Sequence, residues 1–335
     1  MFLISTMFSL LYLICSIFIN INWINDIACY FGYFLSIYIV LFIALIPGFI
    51  YLFMLISLLW NKKEKKTNNK KEEDVTILIP MYNAEKSIQE TIESIKKQKY
   101  CGNVYVTIID DGSTDGSLKL LKSMNLGPEI TILELEHKGK AYALNEGLKH
   151  VKTEYTITVD SDTTLHPLAV RNIMHQLLNS NKKTVATAGC LFVKNAKKSF
   201  ITKLQEWDYT LGIFGVKLYQ GNYNSTLVAQ GAFSAYKTKI LKQIGGWQNC
   251  VGEDIVLTWE LLSKGYETNF AKNAIAFTEV PETFKDLGHQ RKRWARGMIE
   301  AFKRVKIITS KDLNFKSKFL MCLNVFFPFI DLALL

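Results

Sequence analysis

Residues 104–113 read VYVTIIDDGS, an apolar run that ends in two adjacent carboxylates and a glycine. Residues 155–162 read YTITVDSD, in which a second apolar run ends in two carboxylates one residue apart. The carboxyl ends of strands form the ligand-binding edge of an open α/β sheet, so both acidic pairs are expected at that edge. The four carboxylates belong to Asp110, Asp111, Asp160 and Asp162.

Short apolar runs alternate with helical patterns along the chain from residue 75 onward. A helix is predicted after Asn83, a favourable N-cap that is followed by isoleucines at helical spacing. Further helices are predicted at 118–121, 141–148, from Pro167 onward and at 255–262, and residues 205–219 are predicted to be a helix or an ordered active-site segment. Strands are predicted at 75–79, 104–109, 130–135, 155–159, 185–193, 228–236 and 268–277. The alternation predicts an α/β fold in three layers, with a Rossmann-like, mainly parallel sheet between helices.

The first 60 residues differ in composition from the rest of the chain. They contain no Lys or Arg, and Asp26 is their only charged side chain. Two apolar stretches, Phe2–Ile19 and Ala28–Trp60, are separated by the polar link Asn20–Asp26. About 20 apolar residues cross the ~30 Å hydrocarbon layer, so each stretch is predicted to be a transmembrane helix. A bend in the second helix is expected at Pro47-Gly48.

The orientation in the membrane follows from the charges around these stretches. A signal peptide is the alternative for the first stretch, but the chain start has no positive region and no small-residue cleavage pattern follows. The basic run Lys62–Lys66 directly follows the second stretch and is typical of the cytoplasmic side. We therefore expect a multi-pass protein of the cell membrane with a cytoplasmic catalytic domain.

The net charge of +10 raises nucleic acid as a partner. The Lys-rich segment from Lys62 to Lys71 is better explained as a juxtamembrane anchor for anionic lipid headgroups. No zinc-finger, helix-turn-helix or aromatic-basic RNA motif is present in the sequence, so we predict no nucleic-acid partner. The six cysteines form no CxxC pair and are expected to be reduced thiols.

Four segments are predicted from these patterns. The last of them includes Phe319–Leu335, which is apolar except for Asn324 and Asp331. The segments are two transmembrane helices at 1–60, a basic juxtamembrane linker at 61–74, the catalytic domain at 75–304, and an interfacial helix with the start of a C-terminal membrane segment at 305–335.

The two acidic pairs suggest different ligands. Asp160 and Asp162 lie just past a strand, where together they could bind one divalent ion, Mg²⁺ or Mn²⁺, beside phosphate oxygens. Asp110 and Asp111 can accept hydrogen bonds from nucleoside hydroxyls or ring N–H groups, because Gly112 permits a sharp turn after them. A capping turn is the alternative for this pair.

Two further positions are expected near a bound nucleotide. Pro80, Tyr82 and Asn83 follow the first strand and form a loop that could hold a flat base, although such a sequence is commonly only a turn. Lys140 begins a helix, where a cation opposes the helix dipole, and a nearby diphosphate would relieve that conflict. A solvated basic turn is the alternative for Lys140.

The C-terminal half supplies a base and a cationic helix. Glu253 and Asp254 precede a predicted helix, where they either cap it or provide, in Asp254, a general base for an acceptor hydroxyl. Gln290, Arg293 and Trp294 lie in a basic stretch in which Arg suits phosphate and Trp suits a sugar ring. An amphipathic basic helix on the membrane surface is the alternative for this stretch.

Taken together, these residues resemble the processive membrane glycosyltransferases of family 2, whose catalytic domain has the GT-A fold. That family includes the synthases of cellulose, chitin, hyaluronan and poly-β-1,6-N-acetylglucosamine. The segment Val280–Thr283, leading to Gln290, most resembles the last of these. Two departures are visible: Gly252 stands where Thr usually precedes the Glu-Asp pair, and the C-terminal spans are missing or cut short.

The resemblance assigns a role to each position. It implies that Asp110 and Asp111 bind the nucleoside, that Asp160 and Asp162 form the metal-binding DxD motif, and that Asp254 is the base. It also implies that Gln290, Arg293 and Trp294 form the QxxRW set of processive members. The reaction implied is a single displacement with inversion.

The partners implied are a UDP-sugar donor, a polysaccharide or other glycan acceptor and the lipid bilayer, with an accessory membrane subunit as a further candidate. A non-processive transferase acting on a ceramide or polyprenyl-phosphate acceptor is the second hypothesis. A catalytically silent membrane scaffold is the third. Spacing does not distinguish N-acetylglucosamine, the preferred donor sugar, from glucose or glucuronate.

Overall fold

The computed structural model describes residues 1–59, 72–306, 310–326 and 329–330. They form two units, one containing the described residues of 1–64 and 315–335 and the other those of 65–314. Of the predicted linker at 61–74, only 72–74 lie within the described residues.

The N-terminal segment is helical except for an interruption at Gly32. It contains helix α1 (Phe2–Val40), a π-helical turn (Leu41–Leu45) and helix α2 (Ile46–Leu59). Within α1 the helix is interrupted at Gly32, which has φ +76° and ψ 156°. The polar link Asn20–Asp26 between the two predicted spans is itself helical, and the interruption lies at Gly32 because only glycine adopts this backbone conformation at low cost.

The irregularity expected at Pro47-Gly48 begins one turn earlier. Ile46 donates its backbone N–H to the carbonyl of Leu41, five residues back, which widens the turn. Proline has no N–H to donate to the preceding turn, so a widened turn just before Pro47 is a common way to accommodate it.

The two ends of this segment lie side by side. The ring centroids of Phe2 and Phe53 are 5.7 Å apart, and Ser57 Oγ donates to Ser5 Oγ over 3.3 Å. The segment Phe2–Leu59 has the length and apolar composition needed to cross a membrane, which suggests membrane association. Small residues such as these serines allow apolar helices to approach closely.

Helix α12 (Phe315–Asn324) packs with the same segment. The Phe319 ring lies 5.3 Å from that of Phe2 and 5.2 Å from that of Phe53. The predicted interfacial helix and membrane segment at 305–335 thus contains a helix that joins the N-terminal helices. Residues 307–309, 327–328 and 331–335 of that segment lie outside the described residues.

The second unit is built on one eight-stranded sheet with the strand order β3-β2-β1-β4-β7-β6-β8-β5. Its strands are β1 (Val75–Met81), β2 (Val104–Asp111), β3 (Ile130–Leu135), β4 (Tyr155–Val159), β5 (Thr163–Leu165), β6 (Thr184–Val193), β7 (Phe233–Lys237) and β8 (Glu267–Thr278). Its helices are α3 (Ile88–Lys96), α4 (Ser117–Ser123), α5 (Lys140–His150), α6 (Ala169–Asn179), α7 (Phe200–Asp208), α8 (Val216–Asn222), α9 (Thr238–Gln243), α10 (Glu253–Ser263) and α11 (Phe284–Arg304). A second π-helical turn, Tyr209–Gly215, joins α7 to α8.

The prediction of a mainly parallel sheet is correct for half of it. Strands β3, β2, β1 and β4 are parallel neighbours. Beyond them β7 runs antiparallel to both β4 and β6, β6 pairs parallel with β8, and β5 pairs antiparallel with β8. The strand predicted at 228–236 begins only at Phe233, which leaves residues 228–232 as a loop.

Helices cover both faces of the sheet. Ile77 and Ile79 of β1 pack in a cluster with α3, α4 and α6, whereas Leu78 packs on the other face with α5, α9 and α10. This alternation arises because successive side chains of a strand point to opposite faces of the sheet. Burial of each such side chain contributes roughly 1.5–3 kcal/mol. The result is the three-layer, Rossmann-like arrangement expected, with a mixed sheet.

Candidate active site

Strand register places three loops at one edge of the sheet. Met81 at the end of β1 lies opposite Asp110 of β2, and Asp111 lies opposite Leu135 at the end of β3. The loops after these three strands therefore emerge side by side. Strand β4 is parallel to β1, so the loop after β4, which contains Asp160 and Asp162, emerges at the same edge.

Asn83 connects the first two of these loops. Its Oδ1 accepts from the backbone N–H groups of Thr114 (2.8 Å) and Asp115 (3.3 Å), and its own N–H donates to Ser113 Oγ. Asn83 has φ +51°, and α3 begins later, after Ser87. The prediction of Asn83 as a helix cap is therefore wrong, because its side chain is bonded to the neighbouring loop.

Asp111 organises the loop after β3. Its carboxylate is 3% exposed and accepts from the backbone N–H groups of Lys138 and Gly139, each over 2.9 Å. His137 Nδ1 lies 2.9 Å from the same carboxylate. The glycine at 112 has φ +70°, and a Cβ there would lie 2.7 Å from the His137 nitrogen. Each oxygen of Asp111 thus accepts one backbone hydrogen bond from this loop, whereas Asp110 accepts from the Ser113 N–H over 3.3 Å.

A flat aromatic surface lies over this loop. The rings of Tyr82 and His137 stack with centroids 4.2 Å apart and an interplanar angle of 23°. Tyr82 remains 46% exposed, so part of the stack is accessible to a ligand. Pro80 precedes it as the last but one residue of β1.

Lys140 joins two acidic groups that are far apart in sequence. Its Nζ lies 2.5 Å from Asp160 Oδ1 and 3.7 Å from Glu253 Oε1. Desolvation lowers the pKa of Lys140, but the attraction of Asp160 and Glu253 more than offsets it and raises the pKa above its usual value. Asp160 and Glu253 thus already offset the conflict between this cation and the dipole of α5, and a diphosphate beside Lys140 stays a prediction.

Asp162, like Asp160, is half-buried. Burial and the neighbouring Asp160 raise the pKa of Asp162 to about 6, and Thr163 and Thr278 donate to its Oδ1. Two carboxylates this close favour a bound cation, which would remove the penalty on the ionised form. Among the described residues no three His, Cys, Asp or Glu side chains converge as a ready metal site. The pair thus fits an ion that takes its remaining ligands from phosphate and water.

Glu253 and Asp254 form the first turn of α10. Gly252 precedes them with φ +82°, and Asp254 Oδ2 accepts from the Gly231 N–H over 3.3 Å. Burial raises the pKa of Glu253, and Lys140 opposes that rise. A Cβ on Gly231 would lie 2.8 Å from Lys140 Nζ, so the backbone at Gly231 closely approaches the charged cluster.

Helix α11 packs against the start of α10. A Cβ on Gly252 would lie 2.6 Å from Gly297 Cα, and Glu300 Oε2 accepts from the Val251 N–H over 3.1 Å. This contact lies one helical turn from Trp294. It brings the predicted basic helix next to the residues that present Asp254.

The three residues of the predicted QxxRW set on α11 differ in their exposure and contacts. Arg293 is exposed, Trp294 is 37% exposed, and Gln290 Oε1 is buried without a partner among the described residues. Arg291, between them, binds Asp208 and stacks on Trp294 at 4.4 Å. Among the described contacts, none joins Gln290, Arg293 or Trp294 directly to the carboxylates.

The structure adds residues that the sequence analysis did not select. Tyr209 is buried, and burial raises its pKa to about 12, with Arg291 opposing and Asp162 contributing. Lys217 is 8% exposed and interacts electrostatically with Asp254. A lone lysine within the apolar run from Ile213 to Tyr219 was the available signal for Lys217.

Comparison with known proteins identifies the family. Residues 73–297, more than half of the chain, match the family described as "Glycosyltransferase like family 2". The chain belongs to the family 2 glycosyltransferases. It is therefore a glycosyltransferase, as the conjunction of motifs predicted.

The sequence is similar to two staphylococcal enzymes. A poly-β-1,6-N-acetyl-D-glucosamine synthase of Staphylococcus epidermidis is 30% identical over 262 residues, which cover 77% of this chain and 63% of the relative. The enzyme of the same name from Staphylococcus aureus is 29% identical over 283 residues, covering 82% of this chain and 67% of the relative. The chain thus spans less than two thirds of the S. epidermidis enzyme.

Solved structures share the fold. The mannosyltransferase PcManGT from Pyrobaculum calidifontis, in complex with GDP-Man and Mn²⁺, has a TM-score of 0.68 at 20% identity and covers 90% of this chain and 86% of its own. Residues 1–349 of S. aureus TarS, in complex with UDP-GlcNAc, have a TM-score of 0.52 at 17% identity, covering 74% and 70%. These similarities confirm the GT-A fold.

Proposed function

We propose that this glycosyltransferase transfers N-acetylglucosamine from UDP-N-acetylglucosamine to a growing β-linked polysaccharide, with inversion at the anomeric carbon. The observation that supports it most is the link through Lys140 between Asp160, at the end of β4, and Glu253, beside Asp254. A donor-side carboxylate and a candidate base thereby share one cleft. The names of the staphylococcal relatives support the sugar and the polymer.

The nucleotide would lie over the loops after β1, β2 and β3. The stack of Tyr82 on His137 offers a flat surface for uracil. Asp110 is 2% exposed and accepts the Ser113 N–H over 3.3 Å, and it would be the carboxylate that binds the nucleoside. We assign Asp111 to holding the loop, since its carboxylate accepts two backbone hydrogen bonds and lies beside His137 Nδ1. Asn83 would support the site by joining its loops.

A divalent ion, Mg²⁺ or Mn²⁺, would be held by Asp160 and Asp162, and when bound it would neutralise charge on the departing diphosphate. The similar fold of PcManGT holds Mn²⁺. Lys140 supplies a second positive charge at the same place, because its ammonium group lies against Asp160. Arg293, exposed on α11, is a candidate for a further contact to the diphosphate.

Asp254 would act as the base. Its carboxylate takes the proton of the acceptor hydroxyl while that oxygen forms the new bond to the anomeric carbon. The bond between this carbon and the β-phosphate oxygen breaks, and UDP leaves with the electron pair. General base catalysis of this kind contributes typically 10²–10⁴-fold. Gln290 and Trp294 would hold the acceptor sugar.

The membrane is part of the proposal. The apolar segment Phe2–Leu59 would anchor the enzyme in the cell membrane as more than one span, with the catalytic unit on the cytoplasmic side where UDP-sugars are made available. An accessory membrane subunit would be a partner of that part of the molecule.

The test is a donor screen with purified full-length protein in detergent or nanodiscs. UDP release is measured with UDP-N-acetylglucosamine, UDP-glucose and UDP-glucuronate, each with Mg²⁺, Mn²⁺ or EDTA. We expect release with UDP-N-acetylglucosamine that EDTA abolishes, together with a ladder of long products. A single glycolipid product would support the lipid-acceptor hypothesis instead, and no release with any donor would refute the proposed function.

A further inference from the structure

The loop of residues 229–232, just before β7, contacts both aspartates that the proposed reaction uses on its two sides. The Gly231 N–H donates to Asp254 Oδ2 over 3.3 Å, and the Ala232 carbonyl accepts from the Asp160 N–H over 3.3 Å. Loops are generally more mobile than the strands and helices that they connect. This loop can therefore orient Asp254 only if other groups hold the loop itself in place.

Thr258 bonds the loop to the helix that presents the proposed base. Thr258 is fully buried, and its hydroxyl accepts from the Ala229 N–H over 2.9 Å and donates to the carbonyl of Asp254 over 2.7 Å. A threonine hydroxyl that donates to the carbonyl four residues back is common within helices. Here the same oxygen also accepts from a residue outside α10, so one hydroxyl joins the helix to the loop.

These hydrogen bonds form a closed cycle around the proposed base. It runs from Asp254 Oδ2 to the Gly231 N–H and along the backbone to the N–H of Ala229. From there it passes through the Thr258 hydroxyl back to the carbonyl of Asp254. Ile255 donates its N–H to the other carboxylate oxygen over 2.8 Å. Backbone groups thus orient both oxygens of Asp254, and one of these groups depends on where the loop lies.

Tyr236 holds the same loop from strand β7. Its hydroxyl donates to the Ala229 carbonyl over 2.9 Å, and Tyr236 is 1% exposed. Its ring meets that of Trp247 edge to face with centroids 5.9 Å apart, which restricts the position of the hydroxyl. Burial raises the pKa of Tyr236, so the phenol stays protonated and remains a donor. The N–H and the carbonyl of Ala229 are therefore both bonded to buried side-chain hydroxyls.

We propose that Thr258 and Tyr236 are positioning residues for Asp254. Their hydroxyls fix the loop at Ala229, and the Gly231 N–H then keeps the carboxylate turned toward the acceptor. The inference rests on the proposed role of Asp254 as the base. Removal of either hydroxyl leaves a buried backbone group of Ala229 without its partner, so the loop would shift. A displacement of about 1 Å near reacting groups can lower a rate on the order of 100-fold.

The first experiment compares Thr258→Val and Thr258→Ser with the wild type in the full-length protein. Val keeps the shape of threonine without its hydroxyl, whereas Ser keeps the hydroxyl. Thr76→Val is the matched control, because Thr76 is 5% exposed and its hydroxyl bonds to that of Thr153 at the end of β1 away from the cleft. UDP release with UDP-N-acetylglucosamine gives kcat and KM, and thermal melts confirm folding.

The second experiment removes the other hydroxyl in Tyr236→Phe. Tyr100→Phe is its control, because the Tyr100 hydroxyl also donates to a backbone carbonyl, that of Glu73, which lies just before β1. The same kinetic measurements and thermal melts are made on both variants.

Thr258→Val and Tyr236→Phe should each lower kcat about ten-fold. The KM for the donor should change by less than about two-fold, because the loss affects the base rather than the binding of the nucleotide. Thr258→Ser should return kcat to within about three-fold of the wild type, and both controls should stay within about the same range. A merely structural role would lower the melting temperature and leave kcat of the folded protein unchanged.

A double substitution shows whether Thr258 acts through Asp254. In Asp254→Asn, addition of Thr258→Val should leave the residual rate of sugar transfer within about two-fold, because the base that the hydroxyl positions is already gone. A further ten-fold loss, about the same as in the wild-type background, would overturn the inference. If Thr258→Val does not fold, Tyr236→Phe takes its place in this comparison.

A wild-type kcat in folded Thr258→Val or Tyr236→Phe would also overturn the inference, as would a folded Thr258→Ser protein without recovery. These outcomes are separable from failure of the proposed function. Absence of UDP release by the wild type refutes the function, and full activity of Asp254→Asn refutes the base. Loss of activity in Asp254→Asn together with unchanged Thr258 and Tyr236 variants refutes only the two positioning roles.

Discussion

The ammonium group of Lys140 donates to Asp160 over 2.5 Å, joining the first residue of α5 to the end of β4. The two residues come from loops at the same edge of the parallel half of the sheet. Glu253, 3.7 Å from the same nitrogen, extends the link to α10. Lys140 therefore connects acidic groups from distant parts of the chain in one cleft.

Lys140→Met should reduce kcat for UDP release by at least about 100-fold, because the variant loses a cation beside the departing diphosphate and leaves carboxylates without a partner. Lys149→Met is the matched control, since Lys149 lies in the last turn of the same helix and its ion pair among the described residues is with Glu146 at the surface. Steady-state kinetics of both variants test this. Equal activities for the two would contradict the role given to Lys140.

Gly231→Ala should lower activity about ten-fold with little loss of stability. The added Cβ would lie 2.8 Å from Lys140 Nζ, the mobile end of a long side chain, so the lysine moves and its contact with Asp160 is disturbed. Gly288→Ala is the control, because a Cβ there meets nothing within 4 Å. Steady-state kinetics and thermal melts of both variants test this. A wild-type kcat in Gly231→Ala would show that activity tolerates displacement of Lys140 from Asp160.

Gly252→Ala should destabilise the protein more than Gly245→Ala. Both glycines have positive φ, +82° and +88°, so each substitution strains the backbone by about 1–2 kcal/mol. Only at Gly252 does the new Cβ collide with backbone, 2.6 Å from Gly297 Cα, which adds roughly 1–3 kcal/mol.

Thermal melts of the full-length variants measure this difference. At about 2–4 °C for each kcal/mol, the melting temperature of Gly252→Ala should lie several degrees below that of Gly245→Ala. Coincident melting temperatures would mean that α11 does not pack on the start of α10 as described.

Stability should depend on pH through Lys217. Its pKa falls from 10.5 to about 7 on folding because of burial, so the unfolded chain binds more protons between these values. Stability then rises with pH from about 7 toward 10.5, by at most about 1.4 kcal/mol per unit. Below pH 7 the full penalty of the buried charge is present.

The comparison of wild type with Lys217→Met isolates this contribution. The variant should melt at a higher temperature than the wild type at pH 7, with the difference shrinking toward pH 10. A difference that stays constant across that range would show that Lys217 keeps an ordinary pKa in the folded protein.

The acidic edge of the sheet could be predicted from the sequence because each pattern that indicates it lies within one short segment. Asp110-Asp111 and Asp160-Ser161-Asp162 each end an apolar run of strand length. The ends of parallel strands lie at the carboxyl edge of the sheet, so the carboxylates are expected there. The GT-A fold and the family were inferred from the resemblance carried by these motifs together with Glu253-Asp254 and the set Gln290, Arg293 and Trp294.

What the sequence did not predict depends on contacts between distant segments. Nothing near Lys140 indicates that Glu253 neutralises it, because the two meet only through the mixed half of the sheet, with β7 antiparallel to β4. Asn83 is a residue type that commonly caps helices, but its side chain accepts a hydrogen bond from the neighbouring loop. At Gly32 the break depends on backbone conformation rather than on polarity.

The central claim is that Asp254 is the base, and Asp254→Asn tests it most directly. The substitution keeps the shape of the side chain, and the Asn oxygen can still accept from the Gly231 N–H. Transfer of labelled N-acetylglucosamine and binding of the UDP-sugar are measured on the same full-length preparation. We predict that transfer falls by at least about 100-fold while donor affinity stays within a few-fold of the wild type. Turnover at the wild-type rate in Asp254→Asn would contradict the account.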